Sequence, residues 1–305
     1  MSILSELYPD GAPHPSGQVD LVVEPAVKDL GGFQVRRALP CARRRMVGPF
    51  IFLDQMGPAV LAPGKGLNVR PHPHIGLATL TYVLQGEIVH RDTLGSRQPI
   101  LPGAVNWMTA GRGIAHSERS EYGTRDTERR MLAMQNWVAL PLDREETDPA
   151  FIHHPADALP VVSDSGVEAR VLVGAAYGAR SPVQPLSETL YLDIRLDAGQ
   201  SIPLPHETVE RAVYLLDGRI GIAGDVFEPS RLLVFRPGDA ITVRALTPSH
   251  LIVLGGEPME GPRHIWWNFV SSRLDRIEAA KADWKAGRFG TVIGETEFIP
   301  LPEDR

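Results

Sequence analysis

The sequence predicts an all-β protein made of two copies of one barrel, with a single short helix near its C-terminal end. Three observations predict it. Glycine (29) and proline (27) are spread along all 305 residues and cut the chain into short segments, which favours strands and turns over long helices. The runs between them are short and apolar, as in Ala78 to Leu84, which stops at Gln85-Gly86 and reads as a buried strand. The third is an internal echo: His74 to Gly86 has the same length as His206 to Gly218, and both end in Tyr-hydrophobic-Leu-x-Gly. Downstream, Leu101-Pro-Gly103 is matched by Arg236-Pro-Gly-Asp239, each ahead of a short strand, which points to a duplicated unit.

Taken in order, the first twenty residues read as an irregular arm because Pro9, Gly11, Pro13, Pro15 and Gly17 interrupt them. Leu21 to Val35 alternates apolar runs with turn residues and reads as strands. Val47 to Asp54 is a further strand, ended by Gln55-Met-Gly-Pro58. Pro63-Gly-Lys-Gly66 turns into Arg70-Pro-His-Pro-His-Ile-Gly76. Glu87 to Arg91 continues as a strand, Asp92 to Ser96 turns, and Ala104 to Thr109 is the next strand. The glycines of Ala110-Gly-Arg-Gly113 permit a tight loop just before His116. Met131 to Leu140 is apolar, and the charged stretch Asp143 to Pro149 reads as a linker. These features divide the chain into residues 1–145, carrying the candidate site, and 146–305. Ser272 to Gly287 is the one convincing helix, with Leu274, Ile277, Ala280, Lys281 and Trp284 near helical spacing, Ser271 or Ser272 as cap and Gly287 as stop. The tail from Gly290 to Arg305 is expected to pack back as an extended segment.

Composition narrows the function classes. With 43% hydrophobic and 22% charged residues, the chain is of the soluble globular class, and its length suffices for two domains. A net charge of −6 gives no electrostatic case for nucleic acid; Arg43 to Arg45 reads as a solvated edge or turn. A single cysteine, Cys41, excludes an intrachain disulfide framework. The start, Met1-Ser-Ile-Leu-Ser-Glu-Leu, lacks the pattern of a signal peptide, and no run reaches membrane-spanning length. A cytoplasmic monomer is expected.

His72 and His74 lie two residues apart, as do His116 and Glu118. In a strand, side chains at that spacing leave the same face, so two strands could aim three imidazoles and one carboxylate at a single point. That set suits a divalent transition metal with positions open for water or substrate. Adjacent His153 and His154 would face opposite ways and are not expected to share an ion. His90 is left out of the metal shell. Trp107 and Met108 read as core, Arg112 as a solvated loop residue, Tyr82 and Tyr214 as packing residues at the same place in the repeat, and Ile75 as a lining residue of the cavity.

Gly66, His72, His74 and Gly86 keep the spacing of the first cupin signature, with Thr79 where that signature has a glutamate. Gly113 and His116 keep part of the second, with Gly111 in place of its proline. The loop Trp107 to Glu118 resembles that of one cupin subfamily, the pirins and pirin-like proteins. So do Phe52-Leu-Asp-Gln-Met-Gly-Pro58 and Asp283-Trp-Lys-Ala-Gly-Arg-Phe289, and the resemblance covers most of the chain. It implies a bicupin, two antiparallel barrel or jelly-roll domains, with one metal held by His72, His74, His116 and Glu118. The trailing copy, with Leu204 in place of a histidine and no His-x-Glu pair in Pro248 to Val253, would hold none. It implies iron(II), though such a shell also accepts manganese, nickel, cobalt, copper or zinc.

Some relatives of this kind resemble quercetin 2,3-dioxygenases, so a planar polyphenol and dioxygen are the expected reactants, with Glu118 accepting the 3-hydroxyl proton and the ring opening with loss of carbon monoxide. Others act as redox-sensing regulators of protein partners, and family membership does not choose between these roles. Metal held for stability alone is a third reading.

Overall fold

A computed structural model describes residues 9, 11–14, 17–29, 34–63, 65–120 and 128–302. The N-terminal heptapeptide, Gly64 of the turn before the histidines and the last three residues of the tail lie outside the described residues. The described chain is mostly strand, with one α-helix and two short 3-10 turns. It forms two compact units, one from residues within 1–29, 35–54 and 157–259, the other from residues within 30–34, 55–156 and 260–305. The chain passes from the first to the second inside the strand Phe50–Leu61. This grouping differs from a cut between residues 145 and 146: the helix and tail belong to the unit that carries the histidines.

The histidine unit is built mainly on two antiparallel sheets. One places side by side, in order, Ala150–His154, Val105–Thr109, Leu77–Gln85, Arg129–Ala139 and Phe50–Leu61. The other runs Asn68–His74, Ile114–Arg119, Ile88–Asp92, Arg97–Ile100. They face each other, since Thr81 of the first bonds Glu118 of the second and Phe151 of the first stacks on His90 of the second.

The other unit repeats this frame. Arg231–Phe235, Glu210–Asp217 and Ser249–Gly256 lie side by side, as do Ser201–Pro203, Thr242–Ala245, Ile220–Ile222 and Asp225–Phe227. Each strand occupies the place its sequence counterpart holds in the histidine unit, so the duplication read from the echo is one of topology. Tyr82 and Tyr214 are both buried. Between the short strands the repeat is filled by Ile202, Leu204, Ile241, Val243 and Ala245, all within one apolar cluster.

Among the described residues neither unit closes as a barrel: each rests on two main open sheets, so the two-domain bicupin expected from the sequence stands and barrel closure does not. The His72/His74 strand lies at an edge, where Pro71 and Pro73 cost no central ladder bond because proline has no N–H to give. The outer edge is covered by the tail, with the Ile299 amide donating to the Pro71 carbonyl at 2.8 Å.

Several local expectations change. Gly11–Pro13 and Val19–Val23 are strands rather than an irregular arm. The strand from Phe50 runs on to Leu61 through Gly57, whose φ of 84° bends the backbone without ending the pairing. The expected linker around Asp143 is a 3-10 turn followed by buried Glu145, which pairs with Arg263 at 3.2 Å and accepts from the Ser272 amide at 2.9 Å. His153 and His154 lie in a strand, and His153 Nδ1 lies 2.7 Å from Asn106 Oδ1. In the basic stretch Arg44 pairs with Glu210 at 2.7 Å, while Arg43 and Arg45 are exposed. Cys41 is buried.

The helix spans Leu274–Lys285 and buries Ile277 and Ala280, while Leu274 is exposed. Arg273 is its N-cap and makes no side-chain cap bond; the Ser271 hydroxyl instead accepts from the Arg273 amide at 3.1 Å. The chain leaves the helix through Gly287 at a φ of 68°, the left-handed conformation common just past helix ends. No helix among the described residues is long and apolar enough to cross a membrane.

Candidate metal centre

Alternation along Asn68–His74 turns His72 and His74 to the inner face, where both are buried. His116, on the neighbouring strand, is paired directly opposite His72. The three rings meet with centroids 4.5 to 5.1 Å apart, and one ring nitrogen of each lies within 4.8 Å of the others. Sharp backbone turns bound both strands. Gly76 has a φ of 66°, and a Cβ there would fall 2.0 Å from the Val270 carbonyl oxygen. Gly111 has a φ of 52°, and a Cβ there would fall 2.0 Å from that of Thr147. Neither position admits another residue without moving the backbone behind the site.

Hydrogen bonds fix which nitrogen points inward in two of the three rings. His72 Nδ1 lies 2.9 Å from the Arg70 carbonyl oxygen, and His74 Nδ1 lies 3.0 Å from that of Asn268. A carbonyl only accepts, so both Nδ1 atoms carry the proton and both Nε2 atoms present lone pairs. His74 Nε2 and His116 Nε2 are 3.1 Å apart. The His74 Nε2 lone pair can share that distance with a His116 N–H or with a common cation. Trp137 packs edge-on against His74.

Burial keeps these rings neutral. It pushes His72 down to about 4, against the Arg70 hydrogen bond that works the other way. It holds His74 and His116 well below the usual histidine range, with neighbouring imidazoles adding to the effect. Three neutral imidazole nitrogens converging at one dry point form the donor set of a borderline divalent transition metal. The residues present therefore fit the cation that the sequence implies.

Glu118 stands apart from this trio. It is buried two residues beyond His116, across a β-bulge, but the group of mutually close ligand atoms contains the three histidines and not its carboxylate. Its Oε1 lies 3.1 Å from the Thr81 hydroxyl, which is also 2.8 Å from Gln135 Oε1. Burial raises the Glu118 carboxyl to about 7, and the Thr81 bond opposes that rise.

Behind His116 lies a second layer that the sequence reading did not assign. His116 Nδ1 is 3.3 Å from His90 Nδ1, and His90 Nε2 is 2.9 Å from Asp92 Oδ2. The other Asp92 oxygen accepts from the Leu94 and Ser96 amides at 2.9 and 3.0 Å. Burial alone would raise the Asp92 carboxyl, but bonds from His90 and Ser96 outweigh it and hold it below the ordinary range. Phe151 stacks on His90 with centroids 4.2 Å apart. The signal was present: His90-x-Asp92 repeats the spacing of the two ligand pairs, and Asp92 pairs opposite His116.

Trp107 and Met108 are buried, with Trp107 Nε1 donating to the Thr109 hydroxyl at 3.2 Å. Arg112 is exposed and ion-paired with Asp148. Ile75 packs against Phe269, Ile277 and Ala280.

This arrangement sits on a frame with known relatives. The pirin family model matches residues 32–138, and the model of the pirin C-terminal cupin domain matches residues 191–290. The chain belongs to the pirin family of the cupin superfamily. A pirin-like protein of Caulobacter vibrioides is 52% identical over 289 residues, covering 93% of this chain and 100% of that protein. A crystal structure described as quercetin 2,3-dioxygenase from Acinetobacter baumannii superposes with a TM-score of 0.82 at 34% identity, covering 99% of this pirin and 98% of that chain. A second structure so described from the same organism gives a TM-score of 0.83 at 26% identity, covering 90% and 99%.

Proposed function

We propose that this pirin is a metal-dependent dioxygenase that cleaves quercetin or a related flavonol. The observation that carries the reading is the convergence of one ring nitrogen from each of His72, His74 and His116 at a single buried point. The likeness to structures described as quercetin 2,3-dioxygenases supports the substrate class.

His72, His74 and His116 would hold the ion through Nε2, and Glu118 would join them as fourth ligand by turning away from Thr81. The preferred ion is iron(II). A divalent ion held there would supply Lewis-acid chemistry toward a phenolic oxygen. Glu118, buried two residues beyond His116, would take the flavonol 3-hydroxyl proton. Burial of the imidazoles would keep bulk water from the reacting oxygen. One flavonol and one dioxygen then yield a ring-opened ester and carbon monoxide, with no further reductant.

The test uses protein stripped and reloaded with iron(II). Loaded protein should bleach the flavonol absorption band and consume one oxygen per flavonol, whereas stripped protein should do neither. Glu118→Gln should lose turnover. Absence of turnover with iron, manganese, nickel, cobalt, copper and zinc alike would remove the enzymatic reading in favour of a metal-dependent regulator of a protein partner.

A further inference from the structure

We propose that His90 and Asp92 are a positioning pair that selects the metal-binding tautomer of His116. The proposal rests on the reading of the three histidines as a metal site, and it concerns how one of them is set.

His72 and His74 each have a carbonyl oxygen behind them, which is enough to place the proton on Nδ1 and the lone pair on Nε2. His116 has an imidazole behind it instead, 3.3 Å away and nitrogen to nitrogen. An imidazole can accept or donate there, so on its own it fixes nothing. Asp92 removes the ambiguity. Its Oδ1 is occupied by the Leu94 and Ser96 amides, and its Oδ2 lies 2.9 Å from His90 Nε2. A carboxylate accepts, so His90 carries its proton on Nε2 and offers a lone pair at Nδ1. That lone pair takes the Nδ1 proton of His116, and His116 Nε2 is left bare toward His72 and His74.

Stacking on Phe151 at an interplanar angle of 9° holds the His90 ring in the orientation the chain of bonds needs. His90 is not in the group of mutually close ligand atoms. Its two nitrogens are spent on Asp92 and His116, which makes it a support for a ligand rather than a ligand. Metal-binding histidines are commonly backed by a carboxylate or carbonyl; here the carboxylate acts through an intervening ring.

Asp92→Asn separates this role from shape. The amide oxygen can still accept from Leu94 and Ser96, but the amide nitrogen now donates to His90 Nε2. His90 must then carry its proton on Nδ1, facing the Nδ1 proton that His116 needs when its Nε2 binds metal. His90→Phe keeps a ring on Phe151 and removes the acceptor.

The experiment is a zinc(II) competition titration against a chromophoric chelator, with long-range ¹H–¹⁵N spectra of the zinc-loaded wild type. The expected spectrum has the His90 proton on Nε2 and the His116 proton on Nδ1. Both variants should bind zinc about 10- to 100-fold more weakly. Wild-type affinity in either variant overturns the proposal, and so does a wild-type spectrum with the His90 proton on Nδ1, a result that needs no variant to fold. Failure of the wild type to bind zinc at all would instead bring down the metal reading beneath it.

Discussion

The carbonyl oxygen of Asn268 lies 3.0 Å from His74 Nδ1, across 194 residues of sequence. It reaches that place on a hairpin whose strands, His264–Trp266 and Phe269–Ser271, are joined by a two-residue loop. Trp267, first in that loop, has a φ of 52°, a conformation that non-glycine residues hold at some cost. Phe269 anchors the hairpin by burying its ring beside Ile75, Ile277 and Ala280.

Phe269→Ala should therefore affect stability and metal binding together. Loss of a fully buried aromatic ring costs about 3–5 kcal/mol, and a loosened hairpin withdraws the acceptor that sets His74. Urea unfolding of the metal-free protein and a metal titration measure the two effects. Destabilisation with unchanged metal affinity would show that Asn268 does not set the tautomer.

Glu145 ties the same hairpin to the turn after Leu140, accepting from the hydroxyls of Ser271 and Ser272 and the Ser272 amide and pairing with Arg263. Glu145→Ala leaves the buried Arg263 guanidinium without its carboxylate, at a cost of roughly 3–5 kcal/mol. A change below about 1 kcal/mol in chemical unfolding would mean that the pair is better solvated than its burial indicates.

Thr81→Val keeps side-chain shape and removes the hydroxyl whose bond opposes the rise of the Glu118 carboxyl. Glu118 in the metal-free variant should titrate above the value of about 7 that it has in the wild type. Carboxyl ¹³C chemical shifts against pH report it directly. A lower value in the variant would show that the Thr81 bond does not favour the charged carboxylate.

The metal-free protein should gain stability as pH rises from about 4 to about 6.5. Unfolded histidines protonate near 6.5, whereas folded His72 does so only near 4, and His74 and His116 are also depressed. Between those values the unfolded chain binds more protons, so acid favours unfolding. Glu118 acts in the opposite sense. Its folded value of about 7 exceeds its unfolded 4.5, so its contribution is present below 4.5 and is lost as pH rises through 7. Three rings outweigh one carboxyl, and Glu118→Gln should steepen the rise. Unfolding at a series of pH values checks both, and a flat or falling profile contradicts the assignment.

Much of this was legible in the sequence because it depended on local periodicity. The i, i+2 spacing of His72 and His74 is a property of any strand, and the echo around Tyr82 and Tyr214 recorded a shared topology. Chain length and turn residues could not say whether each unit closes. That depends on what each edge pairs with, and the Pro71–Pro73 edge takes the distant tail rather than a strand of the facing sheet. Glu145 looked like part of a linker because charge usually marks solvent, and only its distant partners, Arg263 and Ser272, show otherwise. The carbonyl of Asn268 was invisible for a simpler reason: a backbone oxygen has no letter in the sequence. His90 and Asp92 had the right spacing, but their role depends on direction rather than position.

The most direct measurement is metal content per chain, by elemental analysis after iron(II) loading and dialysis, of the wild type and His116→Ala. One iron per wild-type chain and almost none in the variant are expected. Equal iron in both, or none in either, would contradict a centre built on His72, His74 and His116.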